Sequence, residues 1–141
     1  MKALLDTNVI SELRKVHTGR VDARFLAWVK AANVADFYLS AITIQELEFG
    51  VLKMERKDTA QGQILREWMR TQVLVRFQGR ILPVDTEVAQ RSAFVLLPNT
   101  KPFADNLIGS TAYVHDMPVV TRNVDDFKGM GVRIINPWDE N

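Results

Sequence analysis

The stretch MKALLDTNVISELRK, residues 1–15, sets the pattern for the whole chain. Ala3, Leu4 and Leu5 form a short apolar run that breaks at the turn-type residues Asp6, Thr7 and Asn8. Apolar residues then resume at helical spacing with Val9, Ile10 and Leu13. Such a run predicts a buried strand, a tight loop and a helix. A carboxylate at the carboxyl end of a strand in an open α/β sheet stands where these sheets place their ligands. The pattern recurs. Strand-like runs cover Lys2–Leu5, Phe37–Leu39, Arg80–Val84, Pro118–Thr121 and Val132–Ile135, and helical patterns cover Asn8–Arg14, Val21–Ala31, Ile42–Met54, Thr59–Val75, Thr86–Leu96 and Asp105–His115. Strands separated by helix-length segments need crossover connections, so the fold class is α/β, with a central, mainly parallel sheet flanked by helices on both faces. Two consecutive helices between the second and third strands make a hairpin expected to protrude, with Leu47, Val51 and Met54, then Ile64, Leu65 and Trp68, at helical spacing.

At 141 residues and 47% apolar composition, the sequence suits one domain over residues 1–141 that buries a core without covalent staples. With no cysteine, a metal must be held by carboxylates, carbonyls, water or the two histidines. No apolar stretch approaches the ~18 residues of a membrane span, and Asp6 and Glu12 interrupt any signal-peptide pattern, so a soluble cytoplasmic protein without a membrane partner is expected. Eighteen basic against seventeen acidic residues give a net charge of +1. Any nucleic acid must therefore be held by a local patch rather than by global charge.

Four acidic positions draw attention. Asp6 is either the N-cap of the first helix or a ligand at the strand end. Its spacing to Asn8 disfavours the aspartyl-phosphate mechanism, which places a second Asp at that position. Glu46, in LSAITIQELEFG, either closes a capping box with Thr43 or, if Ser40 is the cap, lies in the second helical turn beside Thr43 and Gly50. Asp105, in KPFADNLIGSTAYVH, suits a helix start. The small residues Gly109, Ser110, Thr111 and Ala112 would let that helix lie close to the sheet, with Leu107, Ile108, Ala112 and His115 facing inward. Finally, MPVVTRNVDDFKG takes a strand into Thr121, Arg122 and Asn123, then Asp125 and Asp126; Asp125 reads as an ordinary turn residue. His17 and His115 have no ligand spacing to a partner.

In a parallel sheet these positions converge on one edge. Several carboxylates held together repel one another and call for a cation. Oxygen ligands without cysteine or paired histidine select a hard ion, Mg²⁺ or Mn²⁺. Such a site polarises a phosphodiester and activates water without a covalent enzyme intermediate.

The segments LLDTNVISEL, LSAITIQELEFG, PFADNLIGSTA and VVTRNVDDF, in this order and with the ending INPWDE, resemble PIN-domain nucleases, most closely the VapC and FitB type of bacterial toxin. The resemblance implies a PIN-like fold and a Mg²⁺-dependent endoribonuclease toxin of a type II toxin–antitoxin system. It places the acidic cluster on Asp6, Glu46 and Asp105, with Asp6 and Asp105 as metal ligands. Thr7 and Asn8 support the first carboxylate and Thr121 braces the fourth position. Where many relatives carry a fourth Asp, this chain has Asn123, with Asp126 one turn later, and either could hold a water. Arg122, Lys101 and Arg14 are candidates to grip RNA. The resemblance also implies a cognate antitoxin, a homodimer within a toxin–antitoxin hetero-oligomer, and DNA contact only through the antitoxin. Two other readings fit parts of the sequence. Asn123 suits a catalytically weak or inactive PIN-like binding module acting through dimerisation and partner binding. A receiver-like signalling domain would need adjacent acids near the first strand and a Lys after the last, and has neither.

Overall fold

A computed structural model describes residues 1–97 and 100–139, so Glu140 of the INPWDE ending lies outside the described residues. Five strands, β1 (Ala3–Leu5), β2 (Phe37–Ser40), β3 (Ile81–Leu82), β4 (Val119–Val120) and β5 (Ile134–Ile135), form one sheet in the order β3-β2-β1-β4-β5. Every pairing is parallel. The predicted strands are longer than the observed ones at four of these five places, because the ladder closes over only two or three residues and the flanks turn away. Six α-helices cover the sheet: α1 (Thr7–Leu13), α2 (Ala23–Ala31), α3 (Ala41–Lys57), α4 (Thr59–Trp68), α5 (Thr86–Leu96) and α6 (Phe103–Val114). The predicted helix over 59–75 is α4 continued by a wider π-helical stretch, Met69–Val75.

The apolar runs are continuous because both faces of the sheet are buried. On β1, Ala3 and Leu5 join a core with Val9, Phe25, Leu39, Val51 and Val73, whereas Leu4 points to the opposite face with Ile108, Val119 and Phe127. Val119 and Val120 of β4 divide in the same way.

The hairpin of α3 and α4 is rooted in the first of these cores. Leu47 and Val51 are buried, as are Met69 and Val73, and only the end around residues 56–61 is fully solvent-facing. Gly62 makes the close crossing possible, since a Cβ there would lie 2.6 Å from the Glu55 Cα. Arg66 ties the pair with bonds of 2.7 and 2.8 Å to Glu48 and 3.0 Å to Glu55.

α6 is buried on all sides from Asn106 to Ala112 rather than along one stripe. Its small residues serve a close approach, but the neighbour at Gly109 is the Met130 side chain, which an added Cβ would meet at 2.4 Å. No helix among the described residues is long and apolar enough to cross a membrane.

Candidate active site

The chain leaves β1 for β2 and β3 on one side, then crosses to β4 and β5 on the other. Between β1 and β4 lies the topological switch point, where sheets of this kind open a crevice at their carboxyl edge. Asp6 follows β1 there and Thr121 follows β4. Asp6 is 5% exposed and does both things its sequence context allowed. It caps α1 by accepting from Thr7 N at 2.8 Å, and it faces the crevice. Thr121 Oγ1 donates to Asp6 Oδ2 at 2.8 Å and Asn8 Nδ2 donates to the same oxygen at 3.1 Å. Burial is the largest influence on this carboxyl and raises its pKa despite those bonds; the charges of Glu46 and Asp126 push the same way.

Ser40, not Thr43, caps α3, accepting from Ile42 N at 3.0 Å. Glu46 consequently falls in the second turn and reaches Thr7, whose Oγ1 lies 2.6 Å from Glu46 Oε1 and 3.1 Å from Thr43 Oγ1. With one proton to give, Thr7 donates to the carboxylate and accepts from Thr43. Glu46 is thus steered from α1 while remaining exposed.

α6 ends beside the start of β4, so its first turn, with Asp105, stands at the carboxyl edge. Asp105 has its pKa raised to about 6, first by burial and then by Asp126, Asp6 and Glu46, against a smaller opposing effect of Lys101. All four carboxylates therefore act in one field. Sequence reasoning passed over Asn106, which fixes this turn. It is 2% exposed, donates to Ser92 O of α5 at 3.2 Å and accepts from Ser110 Oγ at 3.0 Å. An amide between Asp105 and the apolar pair Leu107 and Ile108 was the available signal.

Past β4, Asn123 N donates to Thr121 Oγ1 at 2.9 Å and residues Val124–Phe127 form a 3₁₀ turn. Asp126 N donates to Asn123 O at 3.1 Å, and buried Phe127 pins the turn. Asp126 thereby enters the carboxylate field. Asp125 faces solvent and pairs with Lys128 at 2.7 Å. The Asn123 side chain is exposed.

Of the three cations picked from sequence, Lys101 and Arg122 flank this edge. Lys101 Nζ donates to Asp125 O at 3.4 Å, and the Arg122 guanidinium stands 5.2 Å from the centre of the Trp138 ring. Arg14 lies apart, at the far end of α1, over Trp68 at 5.8 Å. It borders an apolar cavity of about 400 Å³ among α1, α2 and α4 that includes Leu13, Val16, Val29, Phe37 and Trp68.

Among the described residues no basic side chain forms an ion pair with Asp6, Glu46, Asp105 or Asp126. Nor are three His, Cys, Asp or Glu side chains gathered tightly enough to grip an ion directly. The chemistry of the donor set nevertheless fits a hard divalent cation: oxygen atoms only, and uncompensated negative charge partly withdrawn from water.

The PIN-domain family model matches residues 3–132. The chain is 39% identical to VapC ribonuclease Y4jK of Sinorhizobium fredii (strain NBRC 101917 / NGR234), over 96% of its own length and 97% of the relative's. It is 38% identical to toxin FitB of Neisseria gonorrhoeae (strain ATCC 700825 / FA 1090), over 97% and 99%. Among solved structures, it superposes on a chain of FitAB bound to an IR36 DNA fragment with a TM-score of 0.87 at 35% identity, covering 99% of this chain and 97% of that one.

Proposed function

The chain belongs to the PIN-domain family, and on that premise we propose that it is the toxin of a toxin–antitoxin pair, a cytoplasmic Mg²⁺-dependent endoribonuclease that hydrolyses RNA phosphodiester bonds. The observation that carries this reading is the gathering of Asp6, Glu46, Asp105 and Asp126 at the β1–β4 crevice, where burial first and the neighbouring carboxylates second raise Asp105 to about 6. Asp6 and Asp105 would hold the ion, with Mn²⁺ as a chemical substitute. When bound, a divalent cation supplies charge neutralisation and polarises a phosphodiester oxygen. The protein's own groups do the remaining work. Thr121, Asn8 and the Thr7 amide fix the Asp6 carboxylate in one orientation. Glu46 spends one oxygen on Thr7 and keeps the other free to take a proton from the attacking water. Asp126 adds the charge that Asn123 lacks, while the Asn123 amide can orient water. Arg122 and Lys101 meet RNA phosphates at the rim.

The antitoxin is the partner that the apolar cavity beside α1 suits. Its wall takes apolar side chains, and Arg14, His17 and Arg76 give it a basic border for acidic neighbours. Phe49 and Leu52 of α3, Phe94 and Leu97 at the end of α5, and Phe103 of α6 are exposed and offer apolar area to a second copy in a homodimer. DNA contact would come through the antitoxin.

Purified, antitoxin-free protein incubated with transfer, ribosomal and messenger RNA, each with Mg²⁺ and with chelator, tests the reading. Chelator-sensitive cleavage of at least one class is expected. Intact RNA in every Mg²⁺ reaction overturns it.

A further inference from the structure

Beyond β4 and β5, on the same edge as the carboxylates, lies a polar cavity of about 530 Å³ whose wall includes Arg122, Asn123, Asp126, Asn136 and Asp139 together with the Asp125–Lys128 ion pair. Asn123 and Asp126 belong both to this cavity and to the carboxylate crevice. A nucleotide next to a phosphodiester held at Asp6 and Asp105 would therefore come to the cavity mouth.

The wall chemistry selects what enters. With Lys128 paired to Asp125, the single cation Arg122 faces the carboxylates of Asp126 and Asp139, so the interior of the wall is net negative and disfavours phosphate, and its polar groups disfavour an apolar anchor. A nucleobase edge, neutral and carrying both donors and acceptors, suits it. Asn136 and Asp139 are the first and last residues of one turn, closed by Asp139 N donating to Asn136 O at 3.1 Å, and both line the cavity, Asn136 half-buried and Asp139 exposed. Asn136 Oδ1 accepts from Trp138 N at 3.0 Å, which leaves its Nδ2 as the group to present outward. The Asp139 carboxylate makes no ion pair among the described residues, in contrast to Asp125, which is already spent on Lys128. The floor is firm. Trp138 is stacked on Phe25 at 4.6 Å, and Arg122 is held above Trp138, with its backbone N donating to Asn8 Oδ1 at 3.3 Å.

From this we propose that the cavity is a base subsite that selects guanine next to the cleaved bond, an inference that rests on the ribonuclease reading above. The Watson–Crick edge of guanine offers two adjacent donors, N1–H and N2–H, beside the acceptor O6. Asp139 accepts from both donors, and Asn136 Nδ2 donates to O6. Adenine, cytosine and uracil lack that order of groups. Arg122, at the border between subsite and crevice, receives the phosphate that joins the two nucleotides.

Two measurements test this. In the first, RNA oligonucleotides differing only in the base at each position beside the cut are cleaved by the parent protein and by Asn136→Ala and Asp139→Ala. The parent favours guanine at one flanking position by about tenfold or more, as one good bidentate base contact allows. The ratio of guanine to adenine substrates collapses toward unity in both variants, a change that a general loss of fold does not produce. In the second, guanosine and adenosine monophosphate are titrated into the full chain with chelator present, followed by backbone amide NMR shifts. Guanosine monophosphate shifts Asn136, Asp139 and Arg122, and the adenosine form does so at roughly tenfold higher concentration. Equal shifts, no shifts at these amides, or a base preference that survives both substitutions overturns the subsite even if RNA is cut. Guanine-specific shifts without any RNA cleavage support the subsite and overturn the ribonuclease reading instead.

Discussion

Thr121 and Asp6, 115 residues apart in sequence, meet across the β4–β1 boundary, with the Thr121 hydroxyl donating to the Asp6 carboxylate at 2.8 Å. Both are buried, and the same Thr121 oxygen accepts from Asn123 N and, at 3.4 Å, from Asn8 Nδ2. One hydroxyl thus links the two strand ends of the crevice. Removing it leaves a buried carboxylate short of a donor, which costs about 1.5–3 kcal/mol. Thr121→Val is expected to lower stability by that amount in urea unfolding and to cut RNA about 10- to 100-fold more slowly, while Thr121→Ser retains most of both. Full activity in the valine variant would remove Thr121 from the positioning role.

Asp6→Asn separates the ligand role of Asp6 from its capping role. Asparagine is as good an N-cap, so the bond from Thr7 N survives, and the buried charge whose pKa is already raised is removed. Cellular toxicity and RNA cleavage are expected to disappear while circular dichroism and the melting temperature stay close to the parent's. A variant as toxic as the parent would end the metal-site reading.

Asp125 and Asp126 are neighbours with opposite prospects. Asp125 is turned to solvent and paired with Lys128, whereas Asp126 contributes to the field that raises Asp105. Asp126→Ala should reduce cleavage about 10- to 100-fold, and Asp125→Ala should change it little. Asn123→Asp should keep or increase activity at low Mg²⁺. Matching rates for the Asp125 and Asp126 variants would leave the site to Asp6, Glu46 and Asp105 alone.

The sheet was legible from local pattern because a strand buried on both faces has to be apolar throughout, as in Ala3–Leu5 and Val119–Val120. The convergence of Asp6, Glu46 and Asp105 on one edge followed from parallel topology. What local pattern left open was decided by contacts distant in sequence. Thr43 and Ser40 are equally good caps by composition, and the choice of Ser40 leaves Glu46 in the second turn, where it meets Thr7, 39 residues away. Arg14 looks like any other cation near the first motif, but the length of α1 carries it about 12 Å from Asp6 and onto Trp68. Asn106 was missed because its partners, Ser92 and Ser110, give no sequence pattern of their own.

Asp105 gives the crevice a pH signature without bound ion. Its folded pKa, about 6, lies above the ordinary 3.8, so between those values the folded chain holds a proton that the unfolded chain has released. Stability from this group is fully present below about pH 4 and is lost as pH rises through 6. In chelator, Asp105→Asn has no such loss and should melt about 2–4 °C above the parent at pH 7.5, with the difference vanishing near pH 4. Adding Mg²⁺ at pH 7.5 should raise the melting point of the parent more than that of the variant, because binding to the folded state alone stabilises it. A variant that melts below the parent at pH 7.5, or a gap that widens as pH falls, would show that the charge of Asp105 is not opposed by its burial and by Asp126, Asp6 and Glu46.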